Sequence, residues 1–210
     1  MSALLVKWDE MSVFEKEAFQ TGFSRVCGID EAGRGPLAGP VIAAAVIFPK
    51  EFHLPGLDDS KKLTAGQREI FYREIVSSAV AIGIGIVEAT EIDEINILNA
   101  TILAMKTAVI NLCIPPDCLL IDAVNLSFLE IPQQSIIHGD ARSYSIAGAS
   151  VVAKVTRDRL MGQYHLQFPE YGFGKHKGYG TPNHLSALHS RGPSAIHRKS
   201  FRGVLQEGAA

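Results

Sequence analysis

The sequence predicts an α/β protein: a mixed β-sheet flanked by helices, with a C-terminal helical extension. Three observations carry this reading. Short apolar runs end on turn residues, segments of helical periodicity lie between them, and a glycine-rich basic tail closes on a capped helix.

In chain order, Trp8, Met11, Glu15, Ala18 and Phe19 have helical spacing, and Gly22 is a C-terminal stop. Arg25 to Asp30 reads as a strand. The turn-rich Glu31-Ala32-Gly33-Arg34-Gly35-Pro36 follows, then a second strand from Val41 to Phe48; strands joined this closely pair antiparallel. Asp58-Asp59-Ser60-Lys61-Lys62 is a polar loop, and Thr64 with Gln67 opens a capping-box helix to about Ala79. Ala81 to Val87 is a third strand. Ile95, Leu98, Ile102, Met105, Val109 and Leu112 form a helical stripe that belongs to the core.

Pro115-Pro116-Asp117 ends that helix, and Cys118 to Ile121 is a buried strand running into Asp122. Ser135 to His138 is a further strand, closed by Gly139-Asp140. A helix from about Ser143 to Met161 carries Ala147, Gly148, Ala149, Ser150 and Ala153, small residues that let it approach a neighbour closely. Gly172, Gly174, Gly178 and Gly180 read as one loop. Thr181-Pro182 then opens a short helix that Gly192-Pro193 ends.

With 210 residues, 47% hydrophobic and 20% charged, the chain suits one folded core, and no linker, repeat or low-complexity tract divides it. The longest apolar run, Val41 to Phe48, is far shorter than the about 18 residues a bilayer span needs. The acidic N-terminus does not resemble a secretory or transit signal, so a cytoplasmic protein is expected. Cys27, Cys113 and Cys118 lack the spacing of a zinc site and are expected as buried free thiols. The net charge of −2 argues against indiscriminate adhesion to DNA or membranes. Its distribution is uneven. From Lys154 onward nine Lys or Arg face three Asp or Glu, against eleven and nineteen before it. A basic flank beside an acidic body suits a polyanion held next to metal-binding carboxylates, and a solvated helix face accounts for the same charges.

Asp30, Asp122 and Asp140 each terminate an apolar run, and functional groups in α/β sheets gather outside strand ends. Glu31 adds a fourth acid. Singly, each fits a cap, a turn or an ion pair, and Asp140 just before a helix fits a cap best. Together in one pocket they would repel, an arrangement that hard divalent cations such as Mg²⁺ or Mn²⁺ neutralise. Neighbours on a regular strand face opposite ways, so Asp30 and Glu31 share a metal only if the strand ends or kinks there. A glycosidase also uses paired carboxylates, but only 8% of residues are aromatic and few flank the acids.

The run Ile29-Asp30-Glu31-Ala32-Gly33-Arg34-Gly35-Pro36-Leu37-Ala38-Gly39-Pro40 resembles the opening motif of the ribonuclease HII family. The resemblance continues, in order, through Asp59-Ser60-Lys61-Lys62-Leu63, Leu120-Ile121-Asp122, Gly139-Asp140, Ala153-Lys154-Val155-Thr156-Arg157-Asp158 and His176-Lys177-Gly178-Tyr179-Gly180-Thr181. It implies a ribonuclease H-like fold: one catalytic domain over residues 1–210, with a core of about 22–160 and a basic, substrate-binding helical extension of about 161–210. It also implies that Asp30, Glu31, Asp122 and Asp140 are the catalytic metal-binding quartet. The substrates implied are RNA:DNA hybrids and DNA duplexes with embedded ribonucleotides, cut 5′ of the ribonucleotide to leave 5′-phosphate and 3′-hydroxyl ends.

Reading RNA against DNA at one position means reading the 2′-hydroxyl. Gly33 and Gly35 let the backbone approach the sugar, and Arg34 suits the adjacent phosphate, although Gly-Arg-Gly alone is also a tight turn. Tyr179, between glycines in a basic loop, suits stacking on a sugar or base, or plugging the core. Ser60, Lys61 and Lys62 suit phosphate contact or a solvated turn. The five histidines from His165 onward read as loop and surface residues. No glutamine-plus-aromatic clamp-binding box is seen, and a monomer is expected.

Overall fold

The structure, a computed structural model, describes residues 3–126 and 129–205. Five strands form one mixed sheet: β1 (Val26–Ala32), β2 (Val41–Ile47), β3 (Ala81–Val87), β4 (Cys118–Asp122) and β5 (Gln133–Ile136), in the spatial order β3-β2-β1-β4-β5. β1, β2 and β3 pair antiparallel, while β4 lies parallel to β1 and β5 parallel to β4. The helices are α1 (Ala3–Met11), α2 (Val13–Gln20), α3 (Ala65–Ser78), α4 (Ala89–Ile110), α5 (Tyr144–Gln167), α6 (Phe173–His176) and α7 (Pro182–Arg191). The mixed sheet with flanking helices is the architecture the sequence predicts.

Alternation along the strands divides the core in two. Cys27, Ile29, Ala43, Ala45, Leu119 and Ile121 face α4, whereas Val26, Ala44, Val46 and Leu120 face α5 and its neighbours. Close approach to both helices depends on missing side chains. A Cβ at Gly85 would sit 1.9 Å from the Ala104 carbonyl oxygen of α4, and one at Gly28 would sit 2.0 Å from the Ser145 carbonyl carbon of α5. α3 starts with the expected capping box, in which Thr64 Oγ1 accepts from the Gln67 N–H and the Gln67 side chain accepts from the Thr64 N–H. Thr181 caps α7 in the same way, by accepting from His184 N–H.

Several expectations are corrected. The opening helix is two helices that meet at Ser12, whose hydroxyl donates to the Trp8 carbonyl. β1 runs on to Ala32 because its antiparallel pairing with β2 extends to Ala32↔Ile42, so the strand neither ends nor kinks at Asp30. β5 lies two residues earlier than read, and His138 turns into the left-handed region at φ 56°. Asp140 therefore lies in a short 3-10 turn, Gly139–Ala141, and not at a strand end. The glycine-rich tail contains α6. Leu98 is 50% exposed because Asn96, at φ 66° and ψ 165°, breaks α4 and resets the phase of its apolar stripe. The Asn96 side chain then accepts from Leu98 N–H and Asn99 N–H, capping the second half. Cys113 is exposed while Cys27 and Cys118 are buried, all three as free thiols. Among the described residues no helix is long and apolar enough to cross a membrane. Residues 206–210, on which a C-terminal clamp-binding box would fall, lie outside the described residues.

Candidate active site

Parallel pairing sets the first two acids side by side. The β1–β4 register ends at Ile29↔Ile121, so Asp30 and Asp122 are the next residues on adjacent strands and continue the alternation toward the α5 face. Asp140 arrives from the turn that precedes α5. One carboxylate oxygen from each of Asp30, Asp122 and Asp140 lies within 4.8 Å of the others, and Asp30 and Asp140 are buried. Asp122 is held by the Gly139 N–H, which donates to its Oδ1 at 2.8 Å and ties β4 to the turn bearing Asp140. Left-handed Ala123 and His138 flank these acids, local strain held by the surrounding packing.

Glu31 falls on the opposite side of the alternation and is not part of the triad. It still lines the same cavity, of about 250 Å³, because the β4-side edge of β1 is unpaired beyond Ile29. The cavity is lined by Asp30, Glu31, Gly33, Arg34, Gly35, Ser60, Lys61, Asp122 and Tyr179, together with Ala32, Lys154 and Arg157. Asp140 is not among the lining residues but joins Asp30 and Asp122 in the triad, so the sequence-derived candidates come together from five separate stretches of chain. Lys62 is the exception, turning to Asp58 at 3.4 Å.

Each candidate has a definite anchorage. Arg34 Nη1 reaches Glu31 Oε1 at 3.5 Å, and the Tyr179 ring lies 3.7 Å from where a Gly35 Cβ would stand. Tyr179 is 48% exposed, so it is not a core plug. Ser60 is buried, and its hydroxyl accepts from Ser150 Oγ at 2.7 Å. Lys61 Nζ donates to Asp140 Oδ2 at 3.0 Å while most of its side chain stays exposed.

The electrostatics follow from burying like charges. Burial, then the charges of Glu31 and Asp122, hold the Asp30 carboxyl well above the ordinary aspartate range. Burial also raises Glu31 against the opposing charge of Arg34, and raises Asp122 against the Gly139 hydrogen bond. Burial opposes the charge on Lys61, but its hydrogen bond and ion pair with Asp140 outweigh that and hold its pKa above the usual lysine range. Arg34 and Lys61 offset only part of the charge of four carboxyl groups, and the hard oxygen donors of the cluster are those that Mg²⁺ and Mn²⁺ take.

The sequence signature of the family Ribonuclease HII matches residues 27–204. The chain belongs to the ribonuclease HII family. It is 55% identical to ribonuclease HII of Geobacter metallireducens over 196 residues, 93% of this chain and 92% of the relative. It is 58% identical to that of Syntrophobacter fumaroxidans over 195 residues, 93% and 84% respectively. The crystal structure of ribonuclease H2 from Pyrococcus horikoshii superposes with a TM-score of 0.72 at 26% identity, covering 86% of this chain and 95% of that one. The sheet is accordingly a ribonuclease H-like one, and the protein is an endonuclease of the hydrolase class that cleaves RNA in RNA:DNA hybrids.

Ribonuclease HII motifs also hold residues to which the sequence reading gave no role. Lys154 reaches the cavity, paired with Asp158 at 2.6 Å, and Arg157 lies beneath the Gly33 loop. The histidines of the tail are corrected as well. His184 and His197 are buried and joined Nε2 to Nε2 at 3.0 Å, with His184 Nδ1 2.9 Å from the Tyr179 carbonyl. Their partners lie thirteen residues apart or face backbone atoms, so no helical spacing announces them.

Proposed function

We propose that the cavity holds a strand at a ribonucleotide and hydrolyses the phosphodiester on its 5′ side, leaving 5′-phosphate and 3′-hydroxyl ends. The observation that carries this is the meeting of three carboxylates within 4.8 Å beside a glycine loop and an aromatic ring that line one cavity. Asp30, Asp122 and Asp140, with Glu31 at the rim, would hold Mg²⁺ or Mn²⁺. Bound there, such ions neutralise the scissile phosphate, acidify the attacking water and support the leaving 3′-oxygen.

The chain's own residues bind and orient. The backbone of Gly33-Arg34-Gly35 reads the 2′-hydroxyl, and Arg34 contacts the neighbouring phosphate. Tyr179 packs on the sugar or base at the junction. Ser60 and Lys61 line the phosphate path; Lys61 stands at the rim, where its exposed stem lets it turn from Asp140 to substrate. On this reading the protein acts as a cytoplasmic monomer and a single domain. Its basic segment of about 161–210 contributes to substrate binding, and no sliding clamp is required. It serves removal of ribonucleotides and RNA primers from DNA.

The test is a DNA duplex with one embedded ribonucleotide, incubated with and without Mg²⁺ or Mn²⁺, both product ends being mapped. Metal-dependent cutting 5′ of the ribonucleotide is expected. Metal-independent cutting that leaves a 2′,3′-cyclic phosphate would contradict the proposal, because it would make the 2′-hydroxyl the nucleophile.

A further inference from the structure

Two arginines are buried under the loop that lines the cavity. Arg157 and Arg198 are 1% and 0% exposed, and among the described residues neither forms an ion pair with a carboxylate. Their donors go to backbone carbonyls. Arg157 donates from Nε to Pro40 at 2.9 Å, from Nη2 to Ala38 at 3.1 Å and from Nη1 to Lys177 at 3.0 Å. Arg198 donates from Nε to Gly39 at 2.9 Å, from Nη1 to Arg34 and Pro36 at 2.9 and 2.8 Å, and from Nη2 to Gly33 at 2.5 Å. The Arg198 N–H takes the Leu37 carbonyl as well. The carbonyls of 33, 34, 36, 37, 38, 39 and 40 are thereby turned inward.

A trans peptide plane that points its C=O one way points the following N–H the other way, and among the described residues no peptide bond is cis. Inward carbonyls at Gly33 and Arg34 therefore direct the N–H groups of Arg34 and Gly35 away from the guanidiniums. Further along, Leu37 N–H and Gly39 N–H are taken by the Gly178 and Ile196 carbonyls, and Pro36 and Pro40 have no N–H. Gly33, at φ +99°, permits the turn, and a Cβ there would stand 2.1 Å from Arg157 Nε. Arg157 also joins two loops, since its third bond goes to Lys177, two residues before Tyr179. Asp93 steadies the other arginine by accepting from the N–H groups of Lys199 and Ser200.

We infer that Arg157 and Arg198 are positioning residues for ribonucleotide selection: they fix the peptide planes so that the Arg34 and Gly35 N–H groups face the substrate sugar, and they lock Tyr179 against that loop. Two consecutive N–H groups form a concave donor pair suited to an electronegative oxygen. The forked, planar guanidinium is what the role requires, because a lysine ammonium cannot span three carbonyls in one plane. Burial lowers Arg157 to about 10 and Arg198 to about 9, so both remain cations at neutral pH. The inference rests on the proposed reading of the 2′-hydroxyl by the Gly33-Arg34-Gly35 loop.

Arg157→Lys and Arg198→Lys test it. The readouts are KM and kcat on a duplex with one ribonucleotide, the inhibition constant of the matched all-deoxy duplex, and Mn²⁺ affinity by calorimetry. At least a tenfold loss in the ratio of all-deoxy inhibition constant to ribonucleotide KM is expected, with Mn²⁺ affinity changed less than twofold. A purely structural role would lower the melting temperature and the active fraction but leave that ratio at the wild-type value, which would overturn the inference. Should the lysine variants not fold, Gly35→Pro deletes one presented N–H with both guanidiniums in place, and a Cβ there meets nothing closer than Tyr179 at 3.7 Å. It should show the same tenfold loss; wild-type selectivity in Gly35→Pro would overturn the inference too. If the wild-type protein itself does not prefer the ribonucleotide duplex, the functional reading fails instead, a result separable from unchanged selectivity in the variants.

Discussion

At the scale of single residues, burial and like charge govern the site. Asp122→Asn keeps the oxygen that accepts from Gly139 N–H and removes one negative charge from the cluster. Cleavage should fall roughly a hundredfold or more, with the metal-free melting temperature unchanged or higher. Activity at the wild-type level in that variant would remove Asp122 from the site. Tyr179→Ala strips a half-exposed ring, so cutting at a single ribonucleotide should drop roughly tenfold with little loss of stability. A collapse of the melting temperature would instead make the ring a packing element. Asp30 and Asp122 were legible in the sequence because each follows the apolar run of a strand, whereas Asp140 lies in a turn that the apolar run before it does not announce. Glu31's separation from the triad was half legible, since alternation gave the opposite face, but only the strand register shows that β1 continues past it. Arg157 and Arg198 were illegible, because their partners are carbonyls up to 165 residues away and a carbonyl leaves no mark in a sequence.

At the scale of elements, the glycines of β3 determine how closely α4 can lie. Gly85→Ala would place a methyl group 1.9 Å from a backbone oxygen and should destabilise the fold by about 1 to 3 kcal/mol, measured by denaturant unfolding. A neutral result would mean that α4 shifts without cost. The pair formed by His184 of α7 and His197 gives a pH dependence of known sign. Burial, then the charge of His184, lowers His197 to about 4, so between about pH 6.5 and 4 the unfolded chain takes a proton that the folded one refuses. This contribution to stability is complete above pH 6.5, is lost as pH falls through that window, and changes no further below about 4. His197→Asn should therefore differ most from wild type at neutral pH, the two melting curves converging toward pH 4; a constant gap would show that His197 takes its proton equally in the folded and unfolded chain. Capping signals at Thr64 and Thr181 made helix starts readable. The Asn96 break was not readable, because its side chain caps the very helix it interrupts and no glycine or proline marks the position.

At the scale of the whole molecule, the chain joins an acidic sheet end to a tail rich in Lys and Arg. Arg34 and Lys61, as two phosphate contacts, contribute about −1.8 to the slope of log affinity against log salt, so KM should rise at least roughly tenfold between 50 and 200 mM salt. An Arg34→Ala, Lys61→Ala double variant should flatten that slope, and an unchanged slope would place the phosphate contacts elsewhere. The charge imbalance was visible in the sequence; which cations face the cavity was not, as Lys62 turns away while Lys154 turns in.

The central claim is that acids from β1, β4 and the turn before α5 form one cation site. Anomalous diffraction from crystals grown with Mn²⁺ tests it most directly. The account predicts density in contact with Asp30, Asp122 and Asp140, with Lys61 released from Asp140. Mn²⁺ bound only elsewhere, with Lys61 still on Asp140, would contradict it.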